Sequence, residues 1–137
     1  MTPEQKLKHL ILVRDAEVRG EPLSVEVTAE NVDEVFEATD GDDYELQDAK
    51  SEVRGGTVET GLPCGWSRHY ESKSVAAKCP DGMWVGWTYW FGGGKHGEPE
   101  AVDWMDKAYD LDVTEEEKLI IVQTFTKPAA GSTVGGA

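Results

Sequence analysis

The stretch Met83 to Phe91, MWVGWTYWF, constrains the fold more than any other part of the chain. In an extended strand Met83, Val85, Trp87, Tyr89 and Phe91 share one side, and Trp84, Gly86, Thr88 and Trp90 the other. Both sides carry large apolar groups, so this strand has to be covered on both faces and belongs near the centre of a sheet. Pro80-Asp81-Gly82 just ahead of it is a turn sequence, because Pro pre-sets its φ and Gly accepts a left-handed conformation. Ser67 to Lys78, polar but strand-like, then reads as the other arm of a hairpin.

The remaining elements follow from periodicity and punctuation. Thr2-Pro3-Glu4-Gln5 is a helix start: Thr caps, Pro fits the first helical position, and Gln5 stands three residues after Thr2. Leu7, Leu10, Ile11 and Val18 continue at helical spacing until Gly20, although the run His9 to Val13 is also compatible with a strand. Pro22 to Thr28 alternates apolar and polar, which predicts a strand with Leu23, Val25 and Val27 inward. Asn31-Val32-Asp33-Glu34 opens a second, short helix with Val32, Val35 and Phe36 as its apolar stripe, ending at Asp40-Gly41. Tyr44, Leu46 and Val53 are isolated strand signals in a segment whose glycines and Pro63 predict loop.

Pro99, flanked by Glu98 and Glu100, suits the first turn of a third helix, with Val102, Met105, Ala108 and Tyr109 buried and Trp104 at the edge. Leu111 to Val113 opens a strand, Thr114 to Glu117 turns, and Lys118 to Phe125 has the composition most typical of a strand. A chain of 137 residues fills one core. The expectation is therefore a single α+β domain over residues 1–127. Its mainly antiparallel sheet uses strands near 22–28, 67–78, 83–91 and 118–126, packed by two or three helices, and 128–137 form a flexible tail.

Charge narrows the function. The chain has 27 acidic and 13 basic residues, formally −14, which opposes direct contact with nucleic acid or an anionic membrane. No apolar run approaches about 20 residues, and the amino terminus lacks the basic-then-apolar layout of a signal peptide, so a soluble, cytoplasmic protein is expected. Cys64 and Cys79 are too few for a disulfide framework and read as thiols.

The acid is also patterned. Gly20 to Ala49 holds eleven Asp or Glu and no Lys or Arg, and Glu98 to Glu117 holds nine with only Lys107 opposing them. Such blocks serve either as a solvated surface or as a negative face that docks on a basic partner. On the second reading the contact residues are Glu30, Asp33, Glu34, Glu37, Asp40, Asp42 and Asp43.

A second candidate site is the loop Gly92-Gly93-Gly94-Lys95-His96-Gly97 between strand and predicted helix, where backbone amides and a helix terminus can cradle an anion. Gly93, Gly94, Lys95 and His96 are its ligand-binding candidates. Against this, His96 stands where the Walker pattern needs Ser or Thr, the dinucleotide fingerprint is missing, and Glu98 and Glu100 repel phosphate. Cys64, His69, Cys79 and His96 lack the paired spacing of a zinc clip, and Asp40 to Glu45 lacks the glycine and glutamate of a calcium loop, so no cofactor or metal is expected. No nucleophile elbow or HExxH points to catalysis. Four of the five tryptophans fall between Trp84 and Trp104, which reads first as core packing; Trp66, Trp84 or Trp90 exposed beside the glycines is the alternative, a partner anchor.

The segment SRHYESKSVAAKCPDGMWVGWTYWFGGGKHGEPEAVDWMDKAYDL, with EEEKLIIVQTFTK after it, resembles small accessory proteins of tailed bacteriophages, chiefly through the YWFGGGKH core and its trailing acids. The resemblance covers Ser67 to Lys127 and implies a phage setting in a host cytoplasm, with no catalytic or binding residue carried over. The expected function is that of a non-enzymatic acidic protein that modulates or inhibits a basic host protein, including one that handles nucleic acid, by imitating DNA charge. A small-ligand or nucleotide-binding protein, a sponge or hydrolase built on Gly92 to Gly97, is the rival, and a self-assembling phage component the third reading.

Overall fold

The fold is organised by one hairpin. In the computed structural model, which describes residues 1–41, 44–94 and 97–128, strands β2 (Glu71–Lys78) and β3 (Trp84–Phe91) pair antiparallel over their full length, from Glu71↔Phe91 to Lys78↔Trp84. Pro80-Asp81-Gly82 closes them as expected: Gly82 donates to the Cys79 carbonyl at 2.9 Å, Cys79 to the Met83 carbonyl at 2.8 Å, and Gly82 takes φ +84°. Two short strands, β1 (Val58–Glu59) on β2 and β4 (Tyr109–Leu111) on β3, complete an antiparallel sheet in the order β1-β2-β3-β4.

Three helices cover one face of this sheet, so the expected α+β class holds. Helix α1 (Pro3–Arg19) has the capping box read from the sequence: the Gln5 amide donates to Thr2 Oγ1 at 3.2 Å and the Thr2 amide to Gln5 Oε1 at 2.9 Å. Its Leu7, Ile11 and Leu12 are fully buried and join Val75, Val85 and Trp87 from the sheet. Each such side chain contributes about 1.5–3 kcal/mol by leaving water. Helix α2 (Val32–Asp40) adds Phe36, and helix α3 (Gln47–Arg54) adds Ala49 and Val53.

Several expectations are corrected. Residues 22–28 form no strand; Asn31 takes the hydrogen-bonding role a neighbouring strand would have, accepting from the Thr28 amide at 2.7 Å and donating to the Glu26 carbonyl at 2.8 Å. Leu23 and Val27 still pack on the core, whereas Val25 is exposed. The hairpin arm starts at Glu71 rather than Ser67. Segment 47–54, expected to be loop, is helix α3. After Gly97 the expected helix shrinks to one 3-10 turn, Pro99–Ala101, and Trp104, expected at a helix edge, is buried against Trp87 with ring centroids 5.3 Å apart. The last strand begins at Tyr109 instead of Leu111. Residues 112–128 make neither the turn at 114–117 nor the strand at 118–126: Leu119, Ile120, Ile121, Val122 and Phe125 stand exposed. Asp42, Asp43, Lys95, His96 and the tail beyond 128 lie outside the described residues.

Candidate functional site

Helix α2 is held by its apolar stripe, with Val32 and Phe36 buried and Val35 packed beside them, so its acids are turned away from the core. They fall into two groups. Asp33 and Asp40, seven residues apart, lie along the edge nearest the other helices and are neutralised there. Lys8 of α1 reaches Asp33 at 2.9 Å, and Gln5 adds a bond at 3.1 Å; this pairing holds the Asp33 carboxyl below its ordinary pKa. Lys50 of α3 reaches Asp40 at 3.0 Å, and the other Asp40 oxygen accepts the Leu46 amide at 3.1 Å. Both ammonium groups also lie over the Phe36 ring, at 5.5 and 5.2 Å from its centre.

The second group is Glu30, Glu34 and Glu37. The three are exposed, spaced i, i+4, i+7 along one stripe that starts just before the first turn, and none makes an ion pair among the described residues. Glu37 lies in the last turn, where the negative end of the helix dipole disfavours an acid and no basic residue offsets it. Of the seven acids read from the sequence as contacts, the structure thus brings three together as a free ridge and ties two into the scaffold; Asp42 and Asp43 lie outside the described residues.

Acid also gathers elsewhere. Asp15, Glu45, Asp48 and Glu52 border a depression between α1 and α3, with Arg19 bound to Asp15 at 2.8 Å and Arg14 to Glu52 at 2.5 Å. Beside the ridge, a cleft of about 430 Å³ opens between α2, α3 and residues 100–106, with Glu37, Lys50, Arg54 and Trp104 in its wall. Sequence reasoning missed this cleft and the two lysines that divide the acids.

The described glycines of the loop are closely packed. Gly93, at φ +87°, brings its backbone so near Tyr70 that a Cβ there would stand 2.6 Å from the ring, and Gly97 packs on Gly93. The Gly97 amide donates to the Gly94 carbonyl at 3.1 Å and the Glu98 amide to the Tyr70 hydroxyl at 3.2 Å. The Gly97 and Glu98 amides therefore already have partners, and the helix behind them is a single turn. Among the described residues no three His, Cys, Asp or Glu side chains gather as metal ligands. Of the tryptophans, Trp87 and Trp104 are core, Trp84 and Trp90 half-buried, and Trp66 is exposed next to Gly65, which packs on Trp90. No helix among the described residues is long and apolar enough to cross a membrane. No protein-family model matches the chain, and comparison with curated proteins and with solved structures gives no match.

Proposed function

We propose that this chain is a non-enzymatic acidic binding protein whose α2 ridge, Glu30, Glu34 and Glu37, docks on a basic surface of a partner protein. The observation that carries the reading is the division of the α2 acids: Lys8 and Lys50 take up Asp33 and Asp40, while the three glutamates stay exposed and without a described cation. Exposed carboxylates in line along α2 and the turn just before it raise the local negative potential, which steers a basic partner in and fixes its orientation. Where that partner handles nucleic acid, the ridge occupies the place of phosphates. In the phage setting implied by the resemblance, the partner is a host protein and the outcome is its modulation or inhibition.

The test is capture from bacterial lysate on the immobilised chain at low and high salt, followed by affinity measurement with the purified partner. Binding should weaken steeply as salt shortens the Debye length from roughly 10 Å at 0.1 M. The triple variant Glu30→Lys, Glu34→Lys, Glu37→Lys should abolish binding while leaving the fold intact. A partner held equally well by that variant rejects the reading.

A further inference from the structure

We infer that the chain forms a two-fold dimer in which residues 119–125 of each copy dock across the open face of the other copy's sheet. The docking strand is Leu-Ile-Ile-Val-Gln-Thr-Phe. Its five large apolar side chains are 77–98% exposed, and the segment has apolar groups on both sides: Leu119, Ile121 and Phe125 on one, Ile120 and Val122 on the other. Singly exposed apolar residues are ordinary, but a contiguous run of this kind marks an interaction surface. Its high strand propensity lets it lie extended, with one apolar side set against the face of a sheet.

The receiving surface is the sheet face turned away from the helices. There Val58, Leu62, Ala76, Trp84, Leu111 and Val113 floor a groove of about 440 Å³. The register places Val58 opposite Ala76 and Trp84 opposite Leu111, so these side chains share the side opposite the core residues Val75 and Val85. Among the described residues no helix covers this side, and Val58 and Leu62 remain nearly half exposed.

Three observations favour a second copy as the occupant. The chain's own return is disfavoured: Asp112, Thr114 and Glu115 already line the groove, and reversal within Glu116-Glu117-Lys118 would have to be made without Gly, Pro, Asn or Asp, the residues that favour turns. The charges match, since Lys118 and Lys127 bracket the apolar run while Asp112 and Glu115 stand along the groove. The area is sufficient as well. Reciprocal docking covers ten large apolar side chains and the two grooves beneath them, which brings the contact into the range of roughly 1,200–2,000 Å² buried by stable pairs. An isologous two-fold closes the assembly, and the second apolar side of each strand is covered where the two strands run past each other.

Sedimentation of the intact chain over a wide concentration range tests this, with hydrogen exchange on the same samples. The wild type should be a dimer with protected amides over 119–125. Ile121→Asp in the strand and Val58→Asp in the groove should each weaken dimerisation at least about a hundredfold. Both positions are exposed in the single chain, so each variant should fold, with unchanged circular dichroism. Mixing the two variants should restore a dimer, because one intact strand then meets one intact groove. A wild type that is monomeric throughout overturns the inference, whether its 119–125 amides are protected, which means the segment folds back on its own sheet, or unprotected. A dimer that survives both variants overturns it as well.

Discussion

The indole of Trp87 donates from Nε1 to the backbone carbonyl of Arg54 at 2.8 Å, inside the core. The Arg54 guanidinium returns across the same gap, donating to the Trp90 carbonyl and lying 4.7 Å from the centre of the Tyr89 ring. The end of α3 is thereby clasped to the central strand twice, once through its backbone and once through its side chain. That clasp allows a buried arginine in a place where an unpartnered charge would be costly.

Replacing Trp87 by Phe keeps most of the apolar bulk but leaves the Arg54 carbonyl buried and unpaired. The expected loss is about 2–4 kcal/mol, from the orphaned acceptor and from weakened packing on Trp104. Urea denaturation followed by circular dichroism should show a lower midpoint with an unchanged slope. A midpoint equal to wild type would mean the bond contributes nothing.

Stability should separate the two classes of α2 acid. Asp40→Ala removes the partner of both Lys50 and the Leu46 amide and should cost about 1–2 kcal/mol. Glu34→Ala removes a solvated charge from the free stripe and should stay within about 0.5 kcal/mol of wild type. Equal losses at the two positions would show that the ridge glutamates are structural too.

How much of this was legible depended on where the information lay. Helix α1, helix α2 and the β2–β3 hairpin were readable because their caps, turn residues and apolar spacings are local. Helix α3 has its signal too, with Leu46, Ala49 and Val53 at i, i+3, i+7, but only three apolar residues in a charged stretch obscured it. Residues 22–28 and 118–126 have the alternation and composition of strands and fail for want of a neighbour, which no local pattern reports. The division among the acids was equally hidden, since it depends on Lys8 and Lys50 arriving from other helices.

The two thiols should differ in reactivity. Cys79 is buried, and burial, reinforced by Asp81, pushes its pKa up to about 11, so at neutral pH it stays a protonated thiol. Cys64 is exposed, with Sγ 3.4 Å from Ser72 Oγ. Maleimide labelling of the native chain at pH 7 should stop at one thiol, mapped to Cys64, with Cys79 reacting only on unfolding. Rapid native labelling of both would show that the hairpin end opens readily.

Mild acid should weaken the fold through His9. Burial lowers its pKa below the ordinary value of 6.5, against an opposing pull from Asp81, so the unfolded chain binds this proton more readily than the folded one. His9 therefore costs no stability above the unfolded pKa, and its penalty grows as pH falls below about 6.5. Lys6 acts at the other end of the scale. Its hydrogen bond to Asp110 at 2.7 Å raises its pKa, so its contribution is complete below the unfolded lysine value and is lost as pH rises through the folded one. Denaturation midpoints between pH 7 and 5 should fall less in His9→Gln than in wild type; parallel curves would remove His9 as the cause.

Gly86 is required for the seating of β4. It faces Tyr109 across the β3–β4 ladder, and a Cβ at this position would lie 2.7 Å from the Tyr109 ring and 2.8 Å from the Leu111 side chain. Those two side chains close over the space that glycine leaves, which lets a three-residue strand cover the central one. Gly86→Ala should cost about 1–3 kcal/mol through overpacking, and the damage should concentrate on β4, with faster hydrogen exchange at Tyr109 to Leu111. Gly82→Ala is the matched control: its Cβ meets nothing within 4 Å, but φ +84° strains any L side chain, so it should lower stability without loosening β4 preferentially. If Gly86→Ala left the β4 amides as protected as in wild type, the close approach of Tyr109 would not be what holds that strand.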